Sequence, residues 1–205
     1  MGLLSFATAA LVIADIISAA QYCDTATGVC YSEAKAGDLY FRVALPAVEQ
    51  DPFDILLQIV APKSAGWAAV AWGGKMTMNP ITVGWANGNS TIVSSRWADA
   101  HTPPVAYPKA TYTVLKGSTA NATHWTLTTL CAQCANWVAG NNTRVALNPN
   151  DKAAKLAWAS ATSPPSQPAN NASSIPKHTA HGVFTLDLAA GKTEKFAEYI
   201  KALQL

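Results

Sequence analysis

Two side chains with soft, neutral donor atoms stand about a hundred residues apart in this 205-residue chain. One is Met76, in Ala71-Trp72-Gly73-Gly74-Lys75-Met76-Thr77-Met78-Asn79-Pro80; the other is His178, in Pro176-Lys177-His178-Thr179-Ala180-His181-Gly182. A thioether and an imidazole facing each other across a flat cofactor fill both axial positions of a haem iron. Iron held in this way has no open site for oxygen or substrate, and its chemistry is limited to passing electrons. Methionine is scarce, three in the whole chain, and Met76 shares its short loop with Met78. Residue type alone leaves Met78 and His181 as equal candidates for the two ligand positions.

Elements must bring such distant residues together. Beyond residue 20 the chain reads as short β-prone runs over 38–45, 54–61, 66–72, 81–86, 91–97, 110–116, 124–131, 144–147, 153–159 and 181–188, divided by Gly, Pro and Asn. That pattern predicts an all-β fold, an antiparallel immunoglobulin-like sandwich. Phe196, Tyr199, Ile200 and Leu203 recur at helical spacing, which predicts a short C-terminal helix docked by one apolar stripe. The Pro-, Ser- and Asn-rich stretch 163–176 reads as a surface loop leading to His178.

On this layout Met76 follows a strand end, just after paired glycines that allow a sharp turn and a close backbone approach. His178 precedes a strand. Loop–strand junctions of this kind are where rigid scaffolds usually carry their sites. Trp72, Val83, Trp85, Trp97 and Tyr107 are available as apolar walls. A rival reading uses Trp67, Trp85, Trp97 and Trp137 as stacking faces for a glycan, in a haem-free carbohydrate-binding module.

Residues 1–20 read as a secretory signal, mostly apolar from Leu3 to Ala19 and ending in Ser18-Ala19-Ala20. The run lacks the usual basic start and contains Asp15. The expected mature domain is 21–205, a secreted, extracellular single unit with no membrane association after cleavage. Four N-x-S/T sites, at Asn89, Asn121, Asn141 and Asn171, are candidate glycan acceptors. Four cysteines permit three pairings; in an oxidising compartment the local pairs Cys23–Cys30 and Cys131–Cys134 are favoured. Ala135, not His, follows Cys134, so a haem here is not attached covalently through that motif.

The net charge of +2, without a basic cluster, gives no reason to expect nucleic acid as a partner. No G-x-G-x-x-G follows a strand, and neither G-x-S-x-G nor H-E-x-x-H occurs. The sequence therefore encodes no recognisable flavin or nicotinamide domain and no hydrolase signature.

Several longer stretches carry a resemblance: Asp24-Thr25-Ala26-Thr27-Gly28-Val29-Cys30, Gln58-Ile59-Val60-Ala61-Pro62, Trp72-Gly73-Gly74-Lys75-Met76, Val83-Gly84-Trp85-Ala86-Asn87-Gly88-Asn89, Ile92-Val93-Ser94-Ser95-Arg96-Trp97, Thr123-His124-Trp125, Cys131-Ala132-Gln133-Cys134, Leu156-Ala157-Trp158-Ala159 and His178-Thr179-Ala180-His181-Gly182. Through these the chain resembles the haem b cytochrome domain of fungal cellobiose dehydrogenases, part of the wider DOMON-like sandwich group. The resemblance implies non-covalent haem b, with Met76 of Gly-Gly-x-Met and His178 of His-Thr-x-x-Gly as axial ligands. Met78 and His181 then fall outside the ligand positions. It further implies a Cys131–Cys134 disulfide and matches Tyr107 to a tyrosine near the haem edge.

The function so implied is that of a secreted one-electron carrier rather than a stand-alone catalyst. Its donor would be an oxidoreductase such as a flavin enzyme, and its acceptor a copper-dependent polysaccharide monooxygenase or ferric iron, each met in a transient encounter. Lys75 departs from the expected pattern, in which a neutral residue stands beside the ligand. Its charge would pair with the cofactor's carboxylates or, nearer the iron, favour the reduced state.

Overall fold

The structure, a computed structural model, describes residues 20–204. The expected signal, apart from Ala20, lies outside the described residues. Near-continuous apolar runs make β4 (Ile55–Pro62) and β5 (Trp67–Ala71), while alternation marks β3 (Leu39–Pro46) and β11 (His124–Ala132). The first sheet runs β1 (Ala20–Cys23), β2 (Cys30–Ala36), β3, β4, β11 and β10 (Thr119–Ala120). Beside this path, β9 (Thr111–Val114) pairs with β11, and β16 (Lys192–Thr193) lies parallel to β3. The second sheet runs β15 (Ala180–Leu186), β14 (Ala154–Ala161), β5, β6 (Ile81–Asn87), β7 (Ser90–Trp97) and β8 (Val105–Ala106). A small ribbon pairs β12 (Asn136–Val138) with β13 (Arg144–Ala146).

The two sheets enclose a core in which Phe41, Leu57, Ile59 and Leu127 meet Ala68, Val70, Leu156 and Phe184. Phe41 and Phe184 stack across it with ring centroids 4.8 Å apart. On the outer side of the first sheet, helix α1 (Phe196–Leu203) sets Leu203, Phe196, Tyr199 and Ile200 against Tyr31, Ala44, Leu56 and Leu115. The sandwich, its antiparallel pairing and the C-terminal helix all stand as the sequence patterns predict. Both local disulfides, Cys23–Cys30 and Cys131–Cys134, are formed.

β2 is the longest strand the sequence pattern omits; the short β1, β8, β10, β12 and β16 are the others. Ser32, Glu33, Ala34, Lys35 and Ala36 are weak strand formers, and long-range pairing with β3 overrides that preference. Glu33 there forms an ion pair with Arg42 of β3. The stretch 163–176 also does more than loop outward. With residues 177–179 it crosses the outer side of the second sheet as a strap between β14 and β15, where Pro168 O accepts a 2.8 Å hydrogen bond from the indole of Trp85.

Candidate functional site

Strand pairing builds an unusual surface on the outer side of the second sheet. Ala71 lies between Ala157 and Ile81, and Ala69 between Ala159 and Val83; Ala157 and Ala159 in turn pair with Val183 and His181. Side chains alternate along a strand, so these residues share one face while Ala68 and Val70 enter the core. They floor a cleft of about 690 Å³, a volume within the range of ~300–1,000 Å³ usual for ligand sites. The four alanines end at Cβ, which leaves a flat bed where larger side chains would fill the space. Trp67, Trp158, the segment Gly74–Met76, the segment His101–Pro104 and the segment Ile175–His178 also line it.

Met76 is delivered by a loop folded around one buried amide. Asn79 accepts a hydrogen bond from Gly73 N–H at 2.9 Å and donates to the carbonyls of Lys75 at 2.8 Å and Thr77 at 2.9 Å. It therefore closes the chain on both sides of the thioether. Gly74 adopts a φ of +72°, and a Cβ there would come within 2.9 Å of the Lys155 carbonyl oxygen. The turn thus needs glycine for both conformation and space.

The two methionines part company in this loop. Met78 has a φ of 60°, donates its N–H to Ala98 O at 2.9 Å and accepts the Trp137 indole on its carbonyl at 3.0 Å. Its sulfur lies beside Gly140, away from the lining of the cleft. The two histidines stay together, both lining the cleft, with ring centroids 4.6 Å apart in an edge-to-face arrangement. His178 is half-buried on the strap and His181 is exposed on β15. Burial, then His181, then Lys177 hold the His178 pKa below its ordinary value of 6.5. That favours the neutral ring, the form that offers a lone pair to a metal.

The family of cytochrome domains of cellobiose dehydrogenase matches this chain over residues 22–198. The chain belongs to that family. This cytochrome domain is 28% identical over 191 residues to a pyrroloquinoline quinone-dependent pyranose dehydrogenase of Coprinopsis cinerea, over 91% of this chain and 26% of the relative. It spans about a quarter of the length of that curated relative. The crystal structure of the cytochrome b domain of pyranose dehydrogenase from Coprinopsis cinerea superimposes with a TM-score of 0.81 at 26% identity, covering 90% of this chain and 95% of that one. The cytochrome domain of Myriococcum thermophilum cellobiose dehydrogenase gives a TM-score of 0.80 at 20% identity, covering 89% and 95%, and supports the fold.

Other expected residues of the cytochrome domain fall elsewhere. Tyr107 is buried, stacks on Trp97 at 4.9 Å and lines a separate hollow of about 150 Å³ with Lys109, Gln133, Asn136 and Trp137. It is not part of the cleft lining. Trp67, Trp85 and Trp137 are buried and Trp97 is covered by Tyr107, so these four rings form no exposed stacking row for a glycan. Asn89, Asn121 and Asn171 are exposed, and Asn141 lies in the short turn Gly140–Asn142. No described helix is long and apolar enough to cross a membrane. Asn79 and the alanine floor are the site features that residue types and spacing did not mark. Their only sequence signals are a polar residue before Pro80 and alternating alanines in β5 and β14.

Proposed function

We propose that this cytochrome domain is a haem b electron carrier in which Met76 and His178 are the axial ligands. The observation that carries this reading is that both side chains line one cleft floored by alanines in register. Haem fits what is present: an apolar bed in a cleft of about 690 Å³, a thioether, and an imidazole whose surroundings favour its neutral form. When bound, the group supplies an iron that changes by one electron. The chain's own residues do the rest. Met76 and His178 would hold the iron from its two open sides and so keep it from oxygen and substrate. Ala69, Ala71, Ile81 and Val83 exclude water from the bed, and burial of that kind tunes the potential. Among the described residues no Asp or Glu lines the cleft, whereas Lys75 and Lys177 do, so carboxylates of the cofactor would find cations there.

Family membership supports one-electron exchange with a partner oxidoreductase, met through a small, transient interface. The likeness to pyranose dehydrogenase points to a sugar-oxidising enzyme as the donor. The acceptor in this reading is a copper polysaccharide monooxygenase or ferric iron. Export through the N-terminal signal, and glycans on the exposed sequons, belong to the same proposal.

The deciding experiment is the visible spectrum of the purified protein, oxidised and then dithionite-reduced. Sharp, split bands of a six-coordinate low-spin haem b are expected on reduction. A colourless protein that takes up no added haemin would sink the reading.

A further inference from the structure

Arg96 on β7 is 5% exposed, and among the described residues no carboxylate stands within ion-pair reach of it. A buried cation without a counter-ion is retained only where its hydrogen bonds are well satisfied. Here they go to a hydroxyl and to carbonyl oxygens. Nε donates to Ser94 Oγ at 2.6 Å, and Nη2 donates to Asn171 O at 3.0 Å and Ser173 O at 2.6 Å. Nη1 reaches Pro104 O more weakly, at 3.5 Å. Ser94 Oγ itself donates to Asn171 O at 2.6 Å.

Those carbonyls belong to the two irregular segments that form lips of the cleft. Pro104 ends the segment His101–Pro104, and Ser173 stands just before the segment Ile175–His178. Beyond Ser173 the strap runs only to Thr179, whose N–H donates to Ser160 O on β14 at 2.9 Å. His178 therefore sits on a short span with one end held by the guanidinium and the other by the sheet. The Trp85 indole on Pro168 is a further hold upstream.

We infer that Arg96 is the positioning residue for His178, a guanidinium staple that fixes the strap and keeps the imidazole where it can ligate. This rests on the reading of Met76 and His178 as axial ligands. Arginine suits the task because a planar fork of five donors reaches several carbonyls at once in fixed directions. A lysine ammonium is a single point on a flexible stem.

The test compares wild type, Arg96→Lys, Arg96→Met and His178→Ala, each loaded with haemin and held well below its unfolding temperature. Both Arg96 variants are expected to show mixed-spin spectra, to bind carbon monoxide when reduced, and to regain low-spin bands with added imidazole. His178→Ala sets the scale for full loss of that ligand. In parallel, hydrogen exchange on the haemin-free proteins should show strap amides opening at least about tenfold faster in both Arg96 variants. Core amides of β4 and β11 should be unchanged. If Arg96→Met does not fold, Arg96→Lys carries the comparison. Low-spin coordination that survives both substitutions, or strap amides that exchange at the wild-type rate, would overturn the inference even if stability fell. A wild type that takes up no haemin removes the axial-ligand reading instead, and the exchange rates then decide alone whether Arg96 holds the strap.

Discussion

On the first sheet the outer face carries Tyr31, Ala44 and Leu56, and the chain's own helix covers them with Leu203, Tyr199 and Ile200. On the second sheet the outer face carries Ala69, Ala71, Ala157 and Ala159 over a cleft bordered, among the described residues, by loops and the strap. Both faces are apolar, and burial of apolar area favours covering either. The difference lies in side-chain size and in what is supplied to lie on top. A face of large residues meets a helix and closes. A face of alanines beside a thioether and an imidazole leaves an open cleft of about 690 Å³.

That contrast is broken most completely by filling the bed. Ala69→Leu with Ala159→Leu should abolish haemin uptake while the haemin-free protein melts no lower than wild type, measured by haemin titration and by thermal unfolding. Undiminished uptake would mean the floor is not where the macrocycle lies. Next come the ligands. Met76→Ala and His178→Ala should each lose the low-spin spectrum and weaken haemin binding beyond the ~10–100-fold typical of residues that merely support a metal ligand. Met78→Ala and His181→Ala should keep the low-spin bands.

The opposite face gives the reciprocal result. Leu203→Ala removes a buried anchor of α1 and should cost about 2–5 kcal/mol of stability by chemical denaturation. Haemin affinity of the folded protein should not change; a parallel fall would show that the two faces are coupled. A smaller loss is expected from Asn79→Ala, about 1–3 kcal/mol for backbone groups left without their partner. Here the loss should come with a disturbed spectrum, because those groups flank Met76.

The finest distinction is in pH. The pKa of His178 is depressed by burial, then by His181 and Lys177, so in haemin-free protein its ring should titrate below 6.5. The stability linked to this group is present above the unfolded-state value. It is lost as pH falls from there through the folded-state pKa. Protons compete with iron for the same nitrogen, so haemin affinity should decline in the same direction. Replacing His181 with Ala removes one of the lesser causes and should move the His178 midpoint slightly upward, as followed by NMR of the ring.

Much of the scaffold was legible because strand alternation and the stripe Phe196, Tyr199, Ile200 and Leu203 are local signals. β2 was not, since Glu33, Ala34 and Lys35 gain their strand state only from partners on β3. Met76 and Met78 were indistinguishable as residue types; in the fold Met78 takes a left-handed backbone conformation and only Met76 lines the cleft. His178 and His181 remain neighbours at the cleft, and the family motif, not their placement, favours the first. The alanine floor was hidden for a physical reason: alanine is a weak strand signal, and its value here is the volume it leaves empty. Arg96 was hidden because its partners on the strap lie 75 and 77 residues away.

The strap has a consequence for how such a protein changes over time. It is the connection of a β-hairpin: β14 and β15 are neighbours, and their seven-residue register runs from Ala154 with Leu186 to Ser160 with Ala180. That register is set by the strands themselves, so the connection between them is free to vary in length and composition. One of the two proposed ligands rides on this replaceable piece, whereas the other sits in a short loop between β5 and β6 that Asn79 closes from within. Lineages that rewrite the hairpin connection have a route to new redox potentials, to an open coordination site, or to no metal at all, without redesigning the sandwich.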